Sequence, residues 1–184
     1  SGDIVIWWKE SDEARINYLK MQIFKTDGST VYSQNHVLSG SQGEIRIRRV
    51  EPLSNGALTV VWDETTKAGI SLKMQIFKED GTALLGREYI LADYVFNNGI
   101  IADYFGPVLI EMALLPSGKL YVIWEDNNYV KMQLFDENMV PIAVGNEKNS
   151  RAIFSALYGI SNLYVIEFSN KNIAVVWFQP DSAP

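Results

Sequence analysis

An all-β repeat array is the fold this sequence predicts, and two recurring words carry the prediction. Lys-Met-Gln-Ile-Phe occurs at 20–24 and at 73–77, and returns as Lys-Met-Gln-Leu-Phe at 131–135. A second word stands at Val5-Ile6-Trp7, Val60-Val61-Trp62, Val122-Ile123-Trp124 and Val175-Val176-Trp177. The two keep step at intervals of roughly fifty to sixty residues, the scale of solenoids and propellers. A third observation sets the element type. Val, Ile, Tyr, Phe and Trp dominate the runs between turn signals such as Asp27-Gly28, Ser54-Asn55-Gly56, Asp80-Gly81 and Pro116-Ser117-Gly118. Those side chains suit a half-buried pleated surface, and Gly and Asn supply the positive φ of tight hairpins. No stretch holds a capped 3.6-residue apolar period, so almost no helix is expected.

The central copy spells out the unit. Strand a runs Glu44–Leu53 and turns through Ser54-Asn55-Gly56 into strand b, Ala57–Asp63. A loop, Glu64–Gly69, leads to strand c, Ile70–Lys78, and the turn Glu79-Asp80-Gly81 to strand d, Ala83–Ala92. Four antiparallel strands on short hairpins form a meander, which is the blade of a β-propeller. Strand b is apolar at consecutive positions, Leu58, Val60, Val61 and Trp62, as when both faces of a sheet are covered. In strand c, Leu72, Met74 and Ile76 share one face and Lys73, Gln75 and Phe77 the other. The predicted fold is a β-propeller-like array of four-stranded antiparallel blades.

In this register the chain reads b-c-d, a-b-c-d, a-b-c-d, a-b, about three and a half units within one repeat domain, 1–184. The units fall near 3–43, 44–93, 108–158 and 159–184. An ordinary ring takes four to eight blades. Either the chain belongs to a longer array, two chains complete a ring, or the arc stays open with covered ends. Exposed edge strands pair readily, so a homo-oligomer formed through open strand edges is expected.

Turn-Gly, Val-Val-Trp, an acidic loop, apolar-x-Gln-x-Phe, Asp-Gly and apolar-Gly follow one another in 55–63, 74–81 and Leu85-Gly86. This pattern resembles a propeller-blade repeat of large secreted and surface proteins of bacteria. The third copy departs from it, with Asp136-Glu137-Asn138-Met139 in place of the Asp-Gly turn. The resemblance implies a scaffold and an extracellular or cell-surface setting, and assigns no ligand or catalytic residue.

Composition narrows the function classes. With no cysteine, disulfides, thiolate metal sites and cysteine nucleophiles are excluded. A net charge of −6 argues against non-specific nucleic-acid binding, which needs a basic surface. No apolar run is long enough for a membrane-spanning helix, so no membrane insertion is expected. No signal peptide is evident, and Ser1-Gly2 reads as an expression remnant, which leaves open the removal of a native targeting segment.

Candidate sites are weighed against plain structural roles. His36 is the only histidine and lies in the polar stretch Ser33-Gln34-Asn35-His36, where a solvated side chain is expected rather than a base. Without it no Ser-His-Asp triad can be assembled. Arg46, Arg48 and Arg49 form the only basic cluster; on a regular strand Arg46 and Arg48 share a face and Arg49 takes the other. A solvated edge is expected there, with an anionic-ligand contact as the alternative. Carboxylates follow the Trp word at Asp63-Glu64 and Glu125-Asp126, with Lys9-Glu10 in the first copy. They could bind Ca²⁺ or act as an acid/base pair, but neighbours on a strand point to opposite faces, and structural turns are expected. Gln22, Gln75 and Gln133 read as buried amides tying strand c to neighbouring backbone.

The most individual segment is 94–107, between the second and third units, where repeat proteins carry binding loops. Tyr94, Phe96, Tyr104 and Phe105 offer flat aromatic surface, with Asn97, Asn98 and Asp103 as polar partners, a combination suited to sugars. A loop plugging an open end of the core is the alternative. A second insertion, 146–158, contributes Arg151, Phe154 and Tyr158. The leading expectation is a non-catalytic extracellular bacterial module for adhesion, binding or structure, needing no metal and no cofactor, with a glycan or protein as partner. The alternative is a carbohydrate-binding, lectin-like module or part of a glycan-active enzyme.

Overall fold

A computed structural model describes residues 2–53, 56–96, 108–126, 129–143, 151–155 and 161–178, with backbone alone at 108–110, 151–155 and 161–162. The chain divides into two compact units, Ser1–Ala102 and Asp103–Pro184. The described residues are all-β, in antiparallel sheets. Among them no helix is long and apolar enough to cross a membrane.

The first unit holds two sheets. One is three-stranded, from β1 (Ile4–Ser11), β2 (Asn17–Phe24) and β3 (His36–Ser41), in chain order. The other is four-stranded, from β4 (Glu44–Pro52), β5 (Leu58–Thr65), β6 (Gly69–Phe77) and β7 (Tyr89–Val95), also in chain order. In the second unit β8 (Val108–Leu114), β9 (Leu120–Asp126) and β10 (Tyr129–Phe135) form a meander. Both β11 (Pro141–Ile142) and β12 (Arg151–Ser155) pair with β10 on its far side. A two-stranded sheet, β13 (Ser161–Glu167) with β14 (Ile173–Phe178), completes this unit.

Strand register shows how alike the copies are. Gln75 stands opposite Val60 and Lys73 opposite Trp62; Gln133 stands opposite Val122 and Lys131 opposite Trp124. In the first sheet Gln22 stands opposite Ile6 and Lys20 opposite Trp8. The structural counterpart of Trp62 and Trp124 is therefore Trp8, which corrects the expectation that Trp7 is. Because side chains alternate, a one-residue slip moves Trp7 to the opposite face. Bulges recur as well. On the side of strand c away from b, each partner strand (β3, β7 and β12) holds an extra residue opposite the step into the motif lysine, at Leu19/Lys20, Leu72/Lys73 and Val130/Lys131. Each strand a bulges beside the residue facing Trp, between Ile47 and Arg49 and between Leu109 and Glu111.

Strand d departs from its expected bounds. Instead of Ala83–Ala92, pairing starts with an isolated bridge, Phe77 to Ala83, and resumes as β7 at Tyr89. Between them the Gln75 amide donates to Leu85 O at 3.0 Å, so a side chain takes the carbonyl that a ladder bond would have used. The turn that replaces Asp-Gly in the third copy keeps the same backbone path. Met139 N donates to Asp136 O, as Gly81 N does to Lys78 O, and Met139 accepts a φ of 62° where Gly81 has 80°.

Each sheet that holds the repeated word has a Gln face, carrying the motif Lys, Gln and Phe, and a Met face, carrying the motif Met and its neighbours. In β13–β14 the side of Ile173 and Val175, the counterparts of Leu58 and Val60, is the Gln-type face. In the first unit Leu19, Met21 and Ile23, on the Met face of the first sheet, cluster with Ile45, Leu58, Val60, Trp62 and Phe77 on the Gln face of the second. In the second unit Tyr121, Ile123, Val130 and Met132, on the Met face of the β8–β10 sheet, cluster with Leu163, Val165, Ile173 and Val175 of β13–β14. The second sheet is buried on its Met face too, where Val61, Leu72, Met74 and Ile76 exclude solvent entirely. Double-sided burial explains why β5 is apolar at consecutive positions.

Candidate ligand-binding rim

Antiparallel strands bring alternate connections to one end of a sheet. In the first unit that end gathers the β1–β2 loop, the β3–β4 turn, the β5–β6 turn and the end of β7. Together Ala14, Arg15, Gln42, Gly43, Thr66, Lys67 and Ala68 line a cavity of about 650 Å³.

Hydrogen bonds fix these loops from below. Asp12 Oδ1 accepts from Ile16 N at 2.9 Å, and Asp12 Oδ2 accepts from the Tyr18 hydroxyl at 2.9 Å. The Ile16 amide first, and the Tyr18 hydroxyl after it, hold the Asp12 carboxyl below its usual range against an opposing push from burial. Asn17 Nδ2 donates to Gly43 O at 2.7 Å and so ties the first loop to the second. Gly43 lies so close to β5 that a Cβ there would meet Thr65 O at 2.0 Å. Thr66 Oγ1 accepts from Ala68 N at 3.1 Å, closing the third turn. Arg15 is held at a φ of 61°, a conformation that non-glycine residues adopt at a cost.

Tyr94 and Phe96 lie on this same rim. Phe96 N donates to Ala68 O at 2.8 Å, and the two rings meet edge to face at 6.1 Å. Both are half-buried. Asn97, Asn98, Asp103, Tyr104 and Phe105 lie outside the described residues. So do Tyr158 and the side chains of Arg151 and Phe154. The cavity residues Arg15, Gln42 and Lys67 were missed by sequence reasoning. Their only signal was position, since all three fall in the connections that share an end with residue 94.

The rim presents polar donors at the end of the sheet where Tyr94 and Phe96 also lie. The cavity's described lining offers two cationic side chains, an amide and a hydroxyl, and no carboxylate; Tyr94 and Phe96 lie near it but are not part of that lining. Glu10, Asp63, Glu64 and Asp126, carboxylates that follow the tryptophans, are engaged in ion pairs. Lys20 reaches Glu10 at 2.8 Å, Lys73 reaches Glu64 at 2.7 Å and Lys131 reaches Asp126 at 2.6 Å, one ion pair per copy. Burial pushes the Glu64 carboxyl up, but Lys73 outweighs it, aided by Ser41 and Ser39, and the net displacement is downward. A glycosidase general acid needs the opposite. Asp63, nearly fully buried, pairs with Arg48.

Other expectations are settled by the same contacts. The three arginines form ion pairs, Arg46 with Glu44, Arg48 with Asp63 and Arg49 with Glu51. The bulge after Ile47 corrects their sides: Arg46 stands opposite Asp63 and Arg49 opposite Val61, on one face, with Arg48 as the extra residue. His36 is not a solvated side chain. It stacks on Tyr32 at 4.7 Å and meets Phe77 edge-on at 5.4 Å, and burial pushes its pKa down. The glutamines are structural, with Gln22, Gln75 and Gln133 donating to Tyr32 O, Leu85 O and Ile142 O at 3.1, 3.0 and 2.8 Å.

A second cavity of about 750 Å³, at the opposite end of the same unit, is lined by the turns containing Asp27 and Asp80. Both carboxylates cap their own turns, accepting from Ser29 N and Thr82 N at 2.9 Å. Among the described residues no group of carboxylates and imidazoles is placed to hold a metal ion.

No family model matches the chain, and no curated protein matches it in sequence. Two solved structures show an overall likeness. One is an endo-arabinase from Bacteroides thetaiotaomicron, 13% identical, with a TM-score of 0.45; the alignment covers 100% of this chain and 68% of that one. The other is a glycosyl hydrolase from Bacteroides ovatus, 11% identical, with a TM-score of 0.41, covering 96% of this chain and 57% of that one. Both are described as glycan-hydrolysing enzymes. The expectation of a non-catalytic adhesion or structural module is corrected on that finding.

Proposed function

We propose that this chain is a carbohydrate-recognition module built on a propeller-like array, and that the loop rim of its first unit holds the glycan. The observation that carries the reading is the cavity beside Ala68. There the donors of Arg15, Gln42 and Lys67 stand next to a rim strand whose end presents Tyr94 and Phe96. Sugars expose polar hydroxyls around the ring edge and an apolar C–H face. A site that takes them pairs a few fixed donors with aromatic surface. The glycines and hydrogen bonds under the rim pre-organise it, which lowers the cost of ordering loops on binding.

The propeller-like description is supported by the recurrence of Met face on Gln face in both units, and by the bulges that repeat at equivalent positions. The resemblance to repeats of secreted and surface proteins of bacteria belongs to this proposal, as does an extracellular setting in which glycan polymers are met. Catalysis is not assigned, because Glu10, Asp63, Glu64 and Asp126 are held in ion pairs.

A glycan array probed with the wild-type chain and with Tyr94→Ala, Phe96→Ala and Arg15→Ala tests the proposal. Specific binding that weakens at least about tenfold in these variants, with unchanged far-ultraviolet spectra, is the expected result. Silence across the array, or binding indifferent to all three substitutions, overturns it.

A further inference from the structure

The first sheet of one unit and the β13–β14 sheet of the other each present an apolar face to solvent, and the two faces are of complementary type. On the first sheet the outer side is a Gln face, with Ile4, Ile6 and Trp8 in the positions held by Leu58, Val60 and Trp62 in the second sheet. Leu58, Val60 and Trp62 are buried under a neighbouring Met face, whereas Ile6 is 48% exposed and Ile4 more so. On the β13–β14 sheet the outer side is the Met-type face. Tyr164 stands opposite Val176 there, with Ile166 and Phe178 on the same side, and Tyr164 is 60% exposed. Contiguous apolar surface of this kind marks an interaction site on a soluble protein.

We propose that a second copy of this chain covers it, the outer face of β13–β14 of one molecule docking on the outer face of β1–β2 of the next. Within the chain a Met face covers a Gln face in each unit, and this pairing is the only one the described clusters use. The two free faces are one of each type, so the molecule carries its own partner surface. The charged groups agree. On the covered second sheet the Lys73–Glu64 pair sits under the neighbouring layer, with Glu64 only 13% exposed. On the uncovered first sheet the equivalent Lys20–Glu10 pair is already formed, and Glu10 is 53% exposed. Covering that face therefore buries a satisfied pair and no lone charge. Such docking is heterologous, head to tail, and runs through sheet faces rather than strand edges.

Light scattering over a dilution series, with two single-face variants, tests this directly. The wild type is expected to exceed the monomer mass as concentration rises. Ile6→Glu and Tyr164→Glu are each expected to be monomeric alone, because each removes one half of every contact. Mixed in equal amounts they are expected to form a one-to-one dimer, since one retains the β13–β14 face and the other the β1–β2 face. Ile4→Lys and Ile166→Lys repeat the experiment at neighbouring positions, and unfolding curves matching the wild type confirm folded variants. A wild type that stays monomeric at every concentration overturns the proposal. So does either variant associating by itself, or a mixture that remains monomeric.

Discussion

Lys73 stands opposite Trp62 across the β5–β6 ladder and reaches forward to Glu64, two residues beyond that tryptophan, at 2.7 Å. The same step joins Lys20 to Glu10 past Trp8, and Lys131 to Asp126 past Trp124. One relationship accounts for the lysine that opens the repeated word and for the acid that trails the tryptophan. Both lie on the Gln face, where the indole fills the layer and the ion pair borders it.

In the second sheet this pair is largely withdrawn from water, and Lys73 also meets Glu88 at 2.8 Å. Lys73→Met is expected to cost about 2–4 kcal/mol, between the surface and fully buried limits, because it strands two carboxylates. The pH dependence follows from the shifts. The Glu64 pKa is lowered on folding, so its stabilisation is present above the unfolded carboxyl pKa and is lost as pH falls through the folded value. Burial pushes the Lys73 pKa down, but its two carboxylate partners raise it on balance. Its share is therefore present below the unfolded lysine pKa and is lost as pH rises through the folded value. Urea unfolding of wild type and variant from acid to alkaline pH checks both limbs.

His36 adds a separate acid sensitivity. Its folded pKa is depressed by burial between Tyr32 and Phe77, so the unfolded chain takes up the proton first. Stability is expected to fall as pH drops from about 6.5 toward the folded pKa. His36→Phe, which keeps the ring contacts, is expected to flatten that part of the curve relative to wild type. A parallel pair of curves between pH 7 and 5 contradicts it.

The glutamine amide replaces ladder bonds in strand d. Gln75 donates to Leu85 O, and its own Oε1 accepts from Ile76 N at 2.9 Å. Gln75→Leu is expected to cost about 1–3 kcal/mol by leaving buried backbone groups unpaired. Hydrogen exchange should localise the loss to the Ile76 amide and the segment around Leu85.

Lys171 offers a stabilising change. It is exposed, has a φ of 65°, and closes the β13–β14 turn in the place that Gly118 takes between β8 and β9. Lys171→Gly is expected to gain about 1 kcal/mol by relieving left-handed strain, read as a higher Tm.

Much of this architecture is legible in the residues. The Trp and Gln words place the b and c strands, and the division of Leu72-Met74-Ile76 from Lys73-Gln75-Phe77 predicts the two faces that pack. What escapes is whatever depends on register. Trp7 and Trp8 are adjacent in sequence, and only strand pairing shows which one faces Lys20. The bulge at Arg48 reverses the expected side of Arg49, because nothing local in Ile47-Arg48-Arg49 marks an extra residue. His36 sits in a polar stretch, and its stacking partners come from a neighbouring turn and from the next sheet. The rim is legible only in part. Tyr94 and Phe96 stand out as aromatics, while Arg15 and Lys67 join them solely through the fold.

Cross-strand backbone nuclear Overhauser effects test the repeated register most directly. Lys20 paired with Trp8, Lys73 with Trp62 and Lys131 with Trp124 is the predicted pattern. Lys20 paired with Trp7, or three lysines with unrelated partners, would contradict it.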